Sequence, residues 1–305
     1  MILLLTSSCT GTADDLVSIF NHRGIPVFRF NTDLYYSYQF LWQGDTFEFV
    51  DPVGRVCNSN DVELCIMYKC VQWVSPGKQY GNGVAEPRYV TEILNELCKN
   101  IANWAMQKNI LRLWHPDEYA YPKIKQMLIA RKYFAVPPFS LHWGFAMPEK
   151  KVIVKQIVQR PLDDGGMPFV DIADRSVLDP AYPWFTQDIA AGNRDATVLY
   201  INGKIHCFQF ATERGELTDW RITQGTEVNK WEMWNSGHEF ELKVDAFMRE
   251  LGLKFGRLDF IIGGKTPQFL EVNPRGQFGW LDDESLTLNN EVVDAILDPA
   301  ATITL

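Results

Sequence analysis

Apolar and polar positions along this chain follow two periods, and the places where the period changes mark its elements. Ile2 to Leu5 is an unbroken apolar run, as in a strand buried on both faces. A Ser/Thr/Gly/Asp-rich turn leads to a helix over Ala13 to Arg23, and Ile25 to Phe30 reads as a second strand closed by Asn31 and Asp33. Strand, helix and strand at this spacing predict a βαβ unit. SYQFLWQGDTFEFVD alternates about Gln43-Gly44-Asp45 as a hairpin does, and VELCIMYK is the next strand, ahead of the loop SPGKQYGNG. From Glu86 to Gln107 the period lengthens, with Ile93, Leu97, Ile101 and Trp104 forming a helical stripe. This first unit closes near LWHPDEYAYPK.

The texture changes after Pro122. KIKQMLIARKYFAVPPF is a basic amphipathic helix ending at a double proline, and KVIVKQIV is a β-branched strand with Lys155 in its middle. Such a lysine lies on an exposed sheet face, or it points into a cleft and meets a phosphate. Further on, Asn202-Gly203 turns a hairpin, a helix runs from about Phe240 to Leu251, and two strands flank Gly263-Gly264-Lys265-Thr266-Pro267. The tail is helical from about Leu288 to Leu297. No internal repeat or low-complexity segment is present.

Composition narrows the function classes. The chain has 305 residues, 46% of them hydrophobic and 22% charged, enough for two folded domains. A net charge of −9 argues against a nucleic-acid surface, and no apolar run approaches membrane-spanning length. MILLLTSSCTG lacks a basic leader region, so a buried first strand is expected rather than a signal peptide. The six cysteines and five histidines are scattered without zinc-like spacing, which suits reduced structural thiols in a cytoplasmic protein. The turn TSSCTGT lacks both the dinucleotide pattern and the phosphate-loop lysine.

The chemistry concentrates in GRLDFIIGGKTPQFLEVNPRGQ. Glu271 and Asn273 share parity on one strand, and an abrupt Pro274 ends it. If Ile262 faces Gln268 across the loop, antiparallel counting sets Asp259 opposite Glu271. Three oxygen-bearing side chains then converge on one hairpin face. Two carboxylates that close repel unless a cation or proton lies between them, and oxygen donors without His or Cys favour Mg2+. The competing reading is a surface ion pair of Glu271 with Arg257 or Arg275.

With these residues the chain resembles the ATP-grasp ligases, in particular the RimK-like branch of graspetide (microviridin-type) peptide macrocyclases. GRLDFIIGGKTPQFLEVNPRGQFGW resembles their C-terminal signature. The opening through NTDLY, the basic helix before Pro137-Pro138, VIVKQI, TQDI and TDWR agree in order. The resemblance implies an α/β ATP-grasp fold, two α+β subdomains holding ATP between them, behind a Rossmann-like pre-ATP-grasp domain. The expected divisions are 1–118, 119–190 and 191–305. It implies that Lys123 and Lys155 contact ATP phosphates and that Gln187, Asp188 and Ile189 line the adenine. It further implies that Arg221 faces the transferred phosphate, that Asp195 lies at the nucleotide, and that Asp259, Glu271 and Asn273 hold magnesium. The implied reaction activates a carboxylate with ATP and passes it to an amine or hydroxyl of a precursor peptide carrying a leader segment. A homodimer is a further expectation of the resemblance.

The pattern departs from the family in one place. An acidic-x-Arg triplet is usual where this chain reads Asp195-Ala196-Thr197, so Thr197 stands in place of an arginine. Arg194 or Arg214 is a candidate replacement. Gly165-Gly166 would allow a loop to close over the phosphates, or form a plain turn. Trp231, Met233 and Trp234 either dock a leader helix or pack inward, and packing is the favoured reading. Two rivals stay open: a ligase joining an amino acid or amine to another molecule, and a non-catalytic nucleotide-binding regulator.

Overall fold

The computed structural model describes residues 1–70, 87–116, 121–145, 147–155, 157, 170–213 and 231–304. The apolar run at the start becomes β1 (Ile2–Thr6), the centre of a parallel sheet. α1 (Gly11–His22) carries the chain to β2 (Val27–Asn31) on one side of it. A hairpin of β3 (Gln39–Gln43) and β4 (Thr46–Val50) turns at Gly44, whose φ is 60°, and β5 (Val56–Asn58) extends that small antiparallel sheet. β6 (Leu64–Met67) then pairs with the other edge of β1. Ile2 and Leu4 face a core shared with α1, while Leu3 and Leu5 face a second core on the opposite side. That two-sided burial is why the first strand carries no polar alternation.

α2 (Pro87–Gln107) covers the second core, and its buried seam differs from the expected one. Leu94, Cys98, Ile101 and Ala105 are buried, whereas Ile93 is 51% exposed. Ile101 and Trp104 of the expected stripe are buried and Leu97 packs partly against the core, while at the start of the helix Leu94 takes the inward place expected of Ile93.

α3 (Lys123–Ala130) precedes a four-stranded antiparallel sheet. Its strands are β7 (Phe139–His142), β8 (Lys151–Lys155), β9 (Asp171–Asp174) and β10 (Trp184–Asp188), in the order β7-β10-β8-β9. The largest sheet follows. β11 (Arg194–Ile201) and β12 (Lys204–Phe210) are joined by Asn202 and Gly203, both at positive φ as a tight hairpin turn requires. β13 (Trp231–Met233) lies at one edge. α4 (His238–Leu251) leads to β14 (Phe255–Ile262) and β15 (Gln268–Asn273), and the sheet order is β13-β12-β11-β14-β15.

The large sheet is packed on both faces. Val198, Leu258, Phe260, Phe269 and Val272 meet α3 and α4 on one side. On the other, Leu199, Phe208 and Phe255 join the core of the first unit with α5 (Thr287–Leu297). The small sheet hangs from the large one by two connections that meet at one residue. The backbone of Gln268 bridges to Ala135, where Phe269 N–H donates to the Ala135 carbonyl at 2.8 Å. The Gln268 side-chain oxygen accepts from Ala191 N–H at 3.0 Å. No helix among the described residues is long and apolar enough to cross a membrane.

Candidate active site

Asp259 does face Glu271, but by a route that simple counting misses. Beyond the loop Ile261, not Ile262, lies opposite Gln268, and Phe260 lies opposite Phe269. The register then shifts by one residue, leaving Leu270 as a bulge, and Asp259 pairs with Glu271 and Arg257 with Asn273. The extra residue reverses the facing of everything after it. Phe269 therefore enters the core while Glu271 and Asn273 emerge beside Asp259.

The acidic pair is surrounded by donors. Asp259 accepts from Thr197 Oγ1 at 3.0 Å on Oδ1, and on Oδ2 from Arg257 Nη2 and Asn273 Nδ2, each at 3.1 Å. Lys123 Nζ lies 2.8 Å from Glu271 Oε2 and keeps only 12% of its side chain exposed. Lys123, on the basic helix, thus turns inward to the acidic pair. Arg257 and Arg275 do not take Glu271, as the ion-pair reading had it. Arg275 donates to the carbonyls of His115 and Pro116.

These surroundings drive the two acids apart. Burial raises Asp259, the Arg257 guanidinium pulls it back, and the Glu271 charge raises it again, so the net shift is upward. Burial would raise Glu271 as well, but Lys123 first and Lys155 second outweigh it and hold that carboxyl well below the usual range. One acid is firmly ionised; the other resists ionising while its partner is charged.

Lys155, at the end of β8, is half-buried and donates to Gln187 Oε1 at 2.9 Å. It shares a face of the small sheet with Gln187, and its charge helps to lower Glu271. Gln187 sits on β10 with 1% exposure. Asp188 is bound by Lys150 at 2.6 Å, and Ile189 follows it, exposed. Asp195 lies on β11 opposite Ile261, two residues from Thr197 and on the same face. The structure thus gathers Lys123, Lys155, Asp259, Glu271 and Asn273 at one end of the cleft, with Gln187, Asp188, Ile189 and Asp195 toward the segment joining the sheets. Arg221, Arg214 and Gly165-Gly166 lie outside the described residues.

Thr197 is not an empty replacement for arginine. It is 1% exposed, lies in register with Asp259, and fixes that carboxylate. Arg194 cannot take the missing role from its place on the strand. It has the opposite parity, and it lies 3.7 and 3.8 Å from Glu213 and Glu232. Among the described residues the guanidinium beside Asp259 is that of Arg257, a residue weighed above only as a partner for Glu271. Arg257 also donates to the Gln277 carbonyl at 3.1 Å and lies over the Trp280 ring at 5.6 Å, while its buried Nε has no partner among the described residues. Its spacing of two before Asp259 was the available signal, because strand parity places both on one face. Of the aromatic segment, Trp231 packs on Phe210 and Trp280 and Trp234 on Phe240, leaving Met233 66% exposed.

The donor set fits a hard divalent cation. Asn273 Nδ2 lies 3.1 Å from Asp259 and 3.4 Å from Glu271, so a polar hydrogen already answers both carboxylates. Turning the amide about its terminal torsion presents Oδ1 instead and makes the set all oxygen.

No family model matches the chain, and no curated protein matches it. Solved structures do. A RiPP-associated ATP-grasp ligase of Chryseobacterium gregarium, in complex with ADP and a leader and core peptide, is 18% identical with a TM-score of 0.77 over 99% of this chain and 97% of that one. The macrocyclase MdnC of Microcystis aeruginosa MRC, bound with precursor peptide MdnA, is 17% identical with a TM-score of 0.74 over 97% and 99%. A D-alanine–D-alanine ligase of Bacillus anthracis complexed with ATP is 10% identical with a TM-score of 0.56 over 98% and 96%. The chain has the ATP-grasp fold, and the likeness runs its whole length.

Proposed function

We propose that this chain is an ATP- and Mg2+-dependent ligase that closes ester or amide bonds between side chains of a ribosomally made precursor peptide. The observation that carries the reading is the register of Asp259, Glu271 and Asn273 within an ATP-grasp fold, answered by Lys123 and Lys155 from the facing elements. The ATP-grasp halves are residues 119–190 and 191–305, behind a first domain of residues 1–118. Solved neighbours hold ADP with a leader and core peptide, or Mg and ADP with a minimal precursor, which supports the same cofactors and partner class here.

A carboxylate is a poor electrophile, so its oxygen takes the terminal phosphoryl group of ATP and ADP leaves. An amine or hydroxyl then attacks the acyl carbon, phosphate departs, and the nucleophile gives up a proton. Phosphoryl transfer demands alignment and charge neutralisation above all. Asp259, Glu271 and Asn273 would hold Mg2+, which when bound would neutralise phosphate charge. Lys123 and Lys155 add positive charge beside the phosphates, Asp195 and the Gln187–Ile189 strand border the nucleotide, and Arg221 faces the transferred group. Arg257, at the far end of the same face, holds the acceptor carboxylate in place of the arginine missing at Thr197.

The small sheet adds support for a peptide substrate. Gly144 N–H donates to the Pro180 carbonyl at 2.7 Å, and Trp143, Phe145 and Tyr182 on the two joined segments are all exposed. Exposed aromatic side chains of this kind suit the apolar side of a leader segment.

The test is mass spectrometry of a candidate precursor peptide after incubation with the protein, ATP and Mg2+. Loss of one water per bond, absent with Glu271→Gln, is the expected result. A mass gain dependent on an added amine would replace macrocyclisation with intermolecular ligation. ADP release without any change to the peptide would reject that peptide as substrate.

A further inference from the structure

Gln126 lies on α3 with 5% exposure, and both ends of its amide are committed to backbone. Its Oε1 accepts from Val272 N–H at 3.0 Å, and its Nε2 donates to the Tyr121 carbonyl at 2.7 Å. Exchanging the two ends would set donor against donor and acceptor against acceptor, so these partners fix the orientation of the amide. Val272 stands between Glu271 and Asn273, and β15 is an edge strand of the large sheet. An N–H on the outer side of such a strand has no neighbouring strand to answer it, and burial makes an unanswered donor costly. Gln126 answers it from the helix.

The consequence falls on Lys123. α3 has 8 residues, too few to hold its place without tertiary contacts. Met127 and Ala130 pack into the core beneath it, but apolar contact is non-directional and leaves a short helix room to slide or turn. The Gln126 amide is directional. It stands one turn after Lys123, so the two share a face of the helix. A lysine ammonium on a flexible four-carbon stem reaches widely, and its range narrows only when its own Cα is fixed. One end of the amide ties α3 to β15 beside Glu271, and the other ties it to Tyr121, just ahead of Lys123. Before the helix, Arg275 makes a second tie from just beyond Asn273, donating to the His115 and Pro116 carbonyls. Lys123 thus lies between two attachments to the strand whose Glu271 it meets at 2.8 Å.

We propose that Gln126 is a positioning residue: by accepting the Val272 N–H it fixes how far α3 is advanced and how it is turned, and so places the Lys123 ammonium for Glu271 and the nucleotide phosphates. The inference rests on the nucleotide-dependent reading above and goes beyond it, since it assigns the placement of Lys123 to a side chain outside the donor set. The strand that carries the acids thus also sets the cation that answers them.

The test is a double-mutant cycle on ADP binding in the presence of Mg2+, read by calorimetry, with thermal unfolding of every variant. Gln126→Met keeps the length of the side chain and loses both bonds, and is expected to weaken binding roughly tenfold, as removing an outer partner of a charged group does. Lys123→Met is expected to weaken it by at least the same factor. In the Lys123→Met background the Gln126 change is expected to cause no further loss, because no ammonium is left to misplace. A role in stability alone would lower the melting temperature equally in both backgrounds and leave affinity unmoved. Gln126→Glu, of the same shape and with an acceptor for the Val272 N–H, is expected to recover most of the affinity. If Gln126→Met does not fold, Gln126→Asn, one methylene short of Val272, carries the cycle. Equal losses in the two backgrounds, wild-type affinity in the folded variant that lacks the bond, or no recovery in a folded Gln126→Glu overturns the proposal. Failure of the wild type to bind ADP overturns the ligase reading itself.

Discussion

The two faces of the largest sheet use the same strands for opposite purposes. On one face Val198, Leu258, Phe260, Phe269 and Val272 pack against α3 and α4 with almost no exposure. On the other, Thr197, Arg257, Asp259, Glu271 and Asn273 make a charged network in which two acids confront each other. The apolar face gains from tight packing, whereas the charged face includes an unfavourable pairing that no local preference would choose. The lesson is one of division of labour: the core fixes the register, and the register holds the acids where a cation is wanted.

Substitutions on either side should separate activity from stability. Asp259→Asn is expected to lower ADP formation on the order of a thousandfold while leaving the fold intact. Steady-state kinetics beside a thermal melt would show both. One residue along, Phe260→Ala should cost about 3–5 kcal/mol of stability through the cavity it leaves. The fraction still folded should keep its nucleotide affinity, and denaturant titration with and without ADP checks this. A result in which both variants lost stability alike would erase the contrast between the faces.

Arg257→Lys tests a finer point, because an ammonium cannot reproduce the planar fork of a guanidinium. Turnover is expected to fall about a hundredfold with ADP affinity unchanged, since the loss falls on the acceptor end. Acid titration gives a smaller effect with a definite sign. Glu271 is held below its ordinary value of 4.5, so it binds fewer protons in the fold than in the unfolded chain. Its contribution to stability is complete above 4.5 and is lost as pH falls toward the folded-state value. Asp259 is raised above 3.8, so its ionisation opposes folding and the fold gains as pH drops toward 3.8 from above. Melting curves should therefore show Glu271→Gln losing the acid-side decline and Asp259→Asn no less stable than wild type at pH 7. The smallest expected change is faster amide exchange in residues 139–155 of Gln268→Leu, measured by hydrogen–deuterium exchange.

Much of this was legible before any coordinates. Period-2 and helical patterns located the βαβ unit, the hairpins at Gly44 and Asn202-Gly203, and the acidic pair. Three things were not legible, each for a physical reason. In the first turns of α2 the sequence offers Ile93 and Leu94 side by side, and only the packed core selects Leu94 as the inward one. The bulge at Leu270 is a local insertion that alternation cannot reveal, although it ends in the same pairing. The partners of Asp259 and Glu271 come from Thr197, Arg257 and Lys123, and only the folded chain tells which long side chain reaches which acid. Even so, the parity of Arg257 was there to be read.

Gln268 holds both strands of the connection between the sheets, one through its backbone and one through its amide. Mechanically it is a hinge pin set in the same β-strand that carries Glu271 and Asn273. A displacement of the small sheet about this point would move Lys155 relative to the acids and leave Asp259, Glu271 and Asn273 in place among themselves. Lys155 rides on the small sheet, whereas the acids keep Arg257 on their own sheet and Lys123 on the helix packed against it.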